Sequence, residues 1–408
     1  MNSRGPSRWL VMPLAAGRIV AGAIGRRTAP DVPQRVLIAH DLLLGDTIML
    51  TPLLAKCRER WPSADIVMTC APSYRGLYAM SPYGVRVLAY DPRDVHSLRR
   101  LRAEAPFDLA LIPGDNRYSW LAKALGARWV VGFSGADARY KDWPIDELRS
   151  YPDVPTARAD IAAGLIDGPA PARYRTTDWP APPAAAFEAP VAPYCVIHAG
   201  ASSALKLWPA DRWSEVARRL KALDLGVVLS AGPGEAHLLD TIDPARVFPR
   251  FGGNLALAQM WHLLERARLL IVPDTGIAHL GRLVGVPTLA LFGPGSALLS
   301  GAGEFWRDSP FTALTIPDFP CRDQTVTMRR NVRWIRRCER FQGTQSGQCP
   351  EARCMLALST DEVSRAAVQL LSLPRNQARP ATASQSFAPR GASAPLAAAP
   401  GEQGNRGR

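Results

Sequence analysis

The 408-residue chain has seven cysteines, and no two of them form a Cys-x-x-Cys pair. That removes the most specific zinc and thiol-redox signatures. It also lacks an apolar run long enough to span a bilayer. The best stretch, residues 9–24, is interrupted by Arg18 and flanked by Arg4, Arg8, Arg26 and Arg27. No cleavable signal peptide of good quality is present, so a cytosolic, reduced protein is expected. No Walker spacing occurs in its small-residue loops. Acidic residues are scarce: 36 Asp and Glu stand against 49 Lys and Arg, for a net charge of +13. Such a balance suits an anionic partner, whether nucleic acid, phosphorylated substrate or membrane surface. Much of the excess is arginine in the tails and in one late segment, which argues against a uniform nucleic-acid groove.

What is present is a globular composition, 47% hydrophobic, in a chain long enough for two domains with tails. Residues 1–34 form a basic and apolar leader, either disordered or lying on a membrane surface as an amphipathic segment. Strands are predicted at 35–39, 65–70, 85–89, 107–112 and 128–132. Helices are predicted at 47–60, 74–80, 96–103 and 118–125 between them, with Pro52 kinking or delaying the first. Residues 181–193 (APPAAAFEAPVAP) read as a linker. The pattern then restarts, with strands at 194–198 and 227–230 and helices at 212–220, 235–240 and 256–265. A final helix covers 360–371, with Ser359 and Glu362 in capping-box spacing. From Pro374 the composition is that of a disordered tail. Repeated β-α-β units imply two α/β domains with open parallel sheets, at 35–180 and 194–373, and a cleft between them.

Residues 269–294, LLIVPDTGIAHLGRLVGVPTLALFGP, are the centre of this pattern. A buried strand at 269–272 is stopped by Pro273. A turn at Asp274-Thr275-Gly276 opens a helix at 277–284, and a second buried strand follows at 288–292. Ligands bind outside the carboxyl ends of such strands. Asp274 or Thr275 can cap the helix, whose free N–H groups can hold an anion. Asp274 can instead accept hydrogen bonds from sugar hydroxyls, and His279 falls on the first turn, toward the same crevice.

Three other loops occupy equivalent positions. Gly45-Asp46 follows the first strand, where Asp46 is either a helix N-cap or a general base for a sugar hydroxyl. Residues 198–209, HAGASSALKLWP, offer Gly200 for close backbone approach, the hydroxyls of Ser202 and Ser203, and the point charge of Lys206. Glu235 can bind ribose hydroxyls or simply favour the start of its helix.

Together these pieces resemble glycosyltransferase family 9, the ADP-heptose:lipopolysaccharide heptosyltransferase family. RVLIAHDLLLGDTIMLTPLLAKCRERWP at 35–62, VIHAGASSALKLWPADRWSEVARRL at 196–220 and residues 269–294 carry the resemblance. It implies a two-domain GT-B fold and inverting transfer without a metal or other cofactor. The donor substrate is a nucleotide sugar, most often ADP-heptose. The acceptor is an anionic cell-envelope glycan or glycolipid of lipopolysaccharide type. By the same resemblance Asp46 is the base. Ser202, Ser203, Lys206, Thr275 and Gly276 hold the donor phosphates, and Glu235, Asp274 and His279 hold its ribose and sugar. The site would work in the cytoplasm, at the inner face of the membrane, with no nucleic acid involved. Alternatives stay open: another nucleotide sugar or acceptor, or a non-catalytic nucleotide- or glycan-binding relative.

Departures from the family pattern are His40-Asp41-Leu42-Leu43 before Gly45, Gly281-Arg282, and Gly295 where Thr is common. Cys321, Cys338, Cys349 and Cys354 cluster late at irregular spacing, poor for zinc. Between them a helix is expected at 328–341, carrying Arg329, Arg333, Arg336 and Arg340 on one face.

Overall fold

The structure, a computed structural model, describes residues 7–23 and 28–372. The expected tail from residue 374 lies outside the described residues. Two six-stranded parallel sheets organise the chain. The first holds β1 (Arg35–Ile38), β2 (Asp65–Cys70), β3 (Val85–Ala89), β4 (Leu109–Ile112), β5 (Trp129–Phe133) and β6 (Glu147–Arg149), in the order β3-β2-β1-β4-β5-β6. The second holds β7 (Tyr194–His198), β8 (Gly226–Ala231), β9 (Arg250–Gly252), β10 (Leu269–Pro273), β11 (Thr288–Phe292) and β12 (Phe311–Thr315), in the order β12-β11-β10-β7-β8-β9. Both sheets are doubly wound about their own first strand, β1 and β7, so a similar Rossmann-like unit is folded twice. This is the α/β class with two Rossmann-like sheets that the sequence implies.

The central strands are apolar almost throughout: LALI in β4, YCVIH in β7, LLIVP in β10 and TLALF in β11 are buried at every position. Strands sandwiched between helix layers need apolar side chains on both faces. The strand order reverses between β1 and β4, and again between β7 and β10. Loops leaving these strands open a crevice there. Asp46 follows β1, Lys206 follows β7, and Asp274 follows β10.

Pro52 divides the expected 47–60 helix into Leu44–Ile48 and Thr51–Arg60, and sits in the first turn of the second. Its missing N–H has no intrahelical partner there. Residues Ser7–Ala23 form a helix that buries Val11 and Ala15 in the core beside the Tyr118–Ala124 helix. Residues 181–193 contain no helix or strand. The capping box forms: the Ser359 N–H donates to Glu362 at 2.9 Å and the Glu362 N–H to Ser359 Oγ at 3.3 Å. No helix among the described residues is long and apolar enough to cross a membrane.

After β12 the chain crosses back to the first sheet as a strap over residues 317–352. At one end Arg322 donates to the carbonyls of Gly293 and Ile316, both at 2.7 Å. At the other, buried Arg330 donates to the carbonyls of Gly114, Phe133 and Ser134 and to Asn116 Oδ1. The Arg-faced helix expected at 328–341 is absent. In its place is a hairpin of β13 (Val326–Thr327) and β14 (Arg330–Asn331), turned by Met328 and Arg329 at φ 46° and 63°. Both turn residues are left-handed, the geometry of a tight two-residue hairpin.

All seven cysteines are free thiols. Burial pushes Cys70 and Cys195 up to about 12, where a thiol is inert. Among the described residues no three His, Cys, Asp or Glu side chains stand close enough to hold a metal ion.

Three buried histidines tie stability to pH. Burial lowers His40 to about 3 and His198 to about 4 from the ordinary 6.5, and drives His279 well below it. The fold keeps these imidazoles neutral, while the unfolded chain takes up protons below pH 6.5. Stability is therefore full above pH 6.5 and declines as pH falls through 6.5 toward 4. Urea midpoints measured between about pH 7.5 and about pH 4.5 should fall steadily over that window. A flat profile would contradict the assignment.

Candidate active site

Eight of the nine residues singled out in the sequence line one cleft of about 440 Å³ between the two sheets. Asp46, Ser202, Lys206, Glu235, Asp274, Thr275, Gly276 and His279 are among its walls. Ser203 is not: it precedes the short turn Ala204–Lys206, and its carbonyl accepts the Lys206 N–H at 2.9 Å.

Asp46 lies in the first turn of the Leu44–Ile48 helix, yet no side chain caps that helix. Its carboxylate turns away and forms an ion pair with Arg158. Burial opposes the charge of Arg158, the Asp46 carboxylate supports it, and the guanidinium ends above its ordinary value.

Across the cleft, Lys206 donates to the Asp274 carbonyl at 2.8 Å and to Asp274 Oδ2 at 2.9 Å. An ammonium has three donors, so one remains for a ligand. Asp274 can come this close because residue 295 is glycine. A Cβ there would collide with Asp274 Oδ2.

The adjoining helix, Gly276–Val284, begins at Thr275, whose side chain makes no capping bond. Thr275 Oγ1 is buried without a partner among the described residues. The helix thus presents uncovered N–H groups and its positive dipole end to the cleft. His279 on the next turn is buried, and its Nδ1 also has no partner among the described residues. Burial first, then the charges of Arg282, Arg158 and Lys206, keep its ring neutral.

The two sides of the cleft touch through glycine. A Cβ on Gly276 would stand 2.9 Å from Leu44, and one on Gly45 would stand 2.8 Å from His279 Cδ2. Glu235 turns back to accept the Gly232 N–H at 2.7 Å, and fills the space a side chain at Gly200 would need. Glu235 is thus a turn brace whose carboxylate borders the cleft, and it makes no side-chain capping bond to the helix that follows.

Further walls of the cleft lie beyond these nine residues. His198 ends β7 and pairs with Ser230 Oγ at 2.9 Å. Arg158, Tyr74, Ser296 and Arg337 also line it. Arg158 and Ser296 come from segments in which no helix or strand is predicted.

Gly281 and Arg282, two departures from the family pattern, have structural reasons. Gly281 sits where a Cβ would stand 2.7 Å from Leu270 and 2.6 Å from Thr288. Arg282 is buried, with its guanidinium 3.9 Å over the Phe311 ring and its N–H groups on the carbonyls of Ser300 and Gly301.

The family model for glycosyltransferase family 9 (heptosyltransferase) matches residues 95–309, more than half of the chain. The chain belongs to glycosyltransferase family 9. This family-9 glycosyltransferase is 26% identical over 318 residues to lipopolysaccharide heptosyltransferase 1 of Pseudomonas aeruginosa, covering 72% of this chain and 88% of that protein. Among solved structures it resembles the family 9 glycosyl transferase of Veillonella parvula, with a TM-score of 0.62 and 18% identity, over 84% of this chain and 99% of that one. It also resembles the ADP-heptose lps heptosyltransferase II of E. coli, with a TM-score of 0.61 and 15% identity, over 83% and 98%. At these identities the structures speak for the fold, the two-domain GT-B architecture.

Proposed function

We propose that this glycosyltransferase inverts the anomeric carbon of an ADP-linked heptose, without a metal, and moves the sugar to a lipopolysaccharide-type acceptor. The observation that carries the proposal is the opposition within one cleft of a carboxylate, Asp46, and an anion-binding corner made by Lys206 and the open helix end at Thr275-Gly276.

The residues divide by position. The first-sheet side, residues 35–180, takes the acceptor, and the second, residues 194–373, takes the donor. Lys206, Ser202 and the N–H groups at Thr275-Gly276 receive the diphosphate, with Ser203 supporting the loop. Glu235, Asp274 and neutral His279 receive ribose and sugar hydroxyls. The acceptor oxygen attacks the anomeric carbon from the face opposite the diphosphate. Its bond to that carbon forms as the carbon–phosphate oxygen bond breaks. Asp46 accepts the hydroxyl proton, and the departing ADP carries the electron pair. Fixed donors at the leaving side act where charge develops. Closure of the cleft, in which Leu44 meets Gly276, keeps water from the donor.

The relative named lipopolysaccharide heptosyltransferase 1 supports this choice of sugar and acceptor. An anionic acceptor also agrees with the chain's net charge of +13 and suits a reaction at the inner membrane face, with the protein peripheral to it.

Nucleotide selectivity tests the donor. In a thermal-shift panel of ADP, UDP, GDP and CDP at one common concentration, about 100 times the ADP dissociation constant, ADP alone should stabilise the fold by roughly 2.7 kcal/mol. Selection of UDP or GDP would discard heptose and keep the enzyme class.

A further inference from the structure

We infer that Arg158 is a positioning residue for this reaction, orienting the Asp46 carboxylate toward the acceptor. The inference rests on the reading of Asp46 as the base. An aspartate in the first turn of a helix ordinarily folds back on nearby backbone N–H groups. Asp46 does not. No side chain caps its helix, and Arg158 Nη1 holds Oδ1 instead. The bond engages one oxygen, and Oδ2 is left for the acceptor proton.

Arg158 is itself held by three parts of the chain. Its backbone N–H donates to Leu299 O, in the loop beyond β11, at 2.9 Å. Its Nη2 donates to Thr327 Oγ1 of the strap hairpin at 3.2 Å. Tyr151, which interacts with the guanidinium charge, lines one small pocket with Asp46, Arg158, Ile161 and Ala162. Arg158 therefore bridges three parts of the chain: its backbone meets the loop beyond β11, and its guanidinium meets the strap and the Asp46 helix. The base is aimed when the cleft is assembled. A planar guanidinium fixes direction as well as charge, which a lysine ammonium does not.

The test compares Arg158→Gln, Arg158→Lys, Asp46→Asn and the double variant Asp46→Asn/Arg158→Gln in steady-state transfer assays. A misaimed group costs up to about 100-fold in rate. Arg158→Gln should lower kcat by about 30- to 100-fold with donor KM within about threefold, and Arg158→Lys should recover little of it. Guanidinium ion at millimolar concentration should restore part of the Arg158→Gln rate and none of the Asp46→Asn rate. The double variant should be no slower than Asp46→Asn, because the two groups act as a unit.

If Asp46→Asn is slow while Arg158→Gln keeps native kcat, the base stands and the positioning role is overturned. If Arg158→Gln raises acceptor KM and slows the Asp46→Asn enzyme further, Arg158 is an acceptor contact, and the inference is overturned. A failure of Arg158→Gln and Arg158→Lys to fold would mark Arg158 as structural and would likewise overturn it. If Asp46→Asn itself keeps native kcat, the base reading fails first, whatever Arg158 does.

Discussion

Asp46→Asn should lower kcat for sugar transfer by about 10³-fold, the scale expected when a general base is lost. ADP binding should stay within about twofold of the native value, since Asp46 stands on the first-sheet side and Lys206 and Gly276 on the other. The variant retains its shape and its hydrogen-bond acceptor, so Arg158 still finds an oxygen. Folding should be weakened but not abolished, because buried Arg158 keeps a hydrogen-bond acceptor but loses its counter-charge, while the Leu44–Ile48 helix loses no cap. Single-turnover transfer together with calorimetric ADP binding separates the outcomes. A joint loss of binding and rate would place Asp46 at the donor rather than at the acceptor.

Lys206→Ala should weaken ADP binding by about 100-fold, close to the cost of removing a strong charge-assisted contact. Two effects act in the same direction. The diphosphate loses its point charge, and Asp274 loses its cation. The Asp274 side chain is only 11% exposed and bonds Lys206 at 2.9 Å. Without the lysine it would present an unpaired carboxylate to an incoming polyanion, and unpaired buried charges are costly. The second effect can be isolated. Lys206→Ala/Asp274→Asn should bind ADP about tenfold better than Lys206→Ala alone, since the repulsion is gone. Equal affinity in the two variants would show that Asp274 contributes no repulsion at the phosphate site. Isothermal titration calorimetry at low salt reads both.

The sheets and the cleft were legible to different degrees for physical reasons. β2, β3, β7 and β11 match the predicted spans, because strands between helix layers are apolar runs bounded by turn residues. β6 and β9 are three-residue edge strands, ELR and RFG, whose sequences lack such a run. The strap misled for another reason. Arg329, Arg333, Arg336 and Arg340 recur at helical spacing, yet Met328 and Arg329 adopt a tight turn that usually draws Asn or Gly. The five acceptors around buried Arg330 favour the hairpin through contacts that no local pattern records. In the cleft, residues following β1, β7, β8 and β10 could be found because strand ends place them there. Arg158 could not. Residues 133–180 carry weak periodicity, and the meeting of Arg158 with Asp46, Leu299 and Thr327 is wholly tertiary.

The most direct test is turnover. The full chain would be incubated with ADP-heptose and heptose-deficient lipopolysaccharide in the presence of EDTA. Mass spectrometry would follow the acceptor, and nuclear magnetic resonance the new anomeric centre. Inverting heptosyl transfer predicts an acceptor heavier by one heptose, one ADP released per transfer, and an anomeric configuration opposite to the donor's. ADP release without a heavier acceptor, a retained configuration, or full dependence on added metal would contradict it.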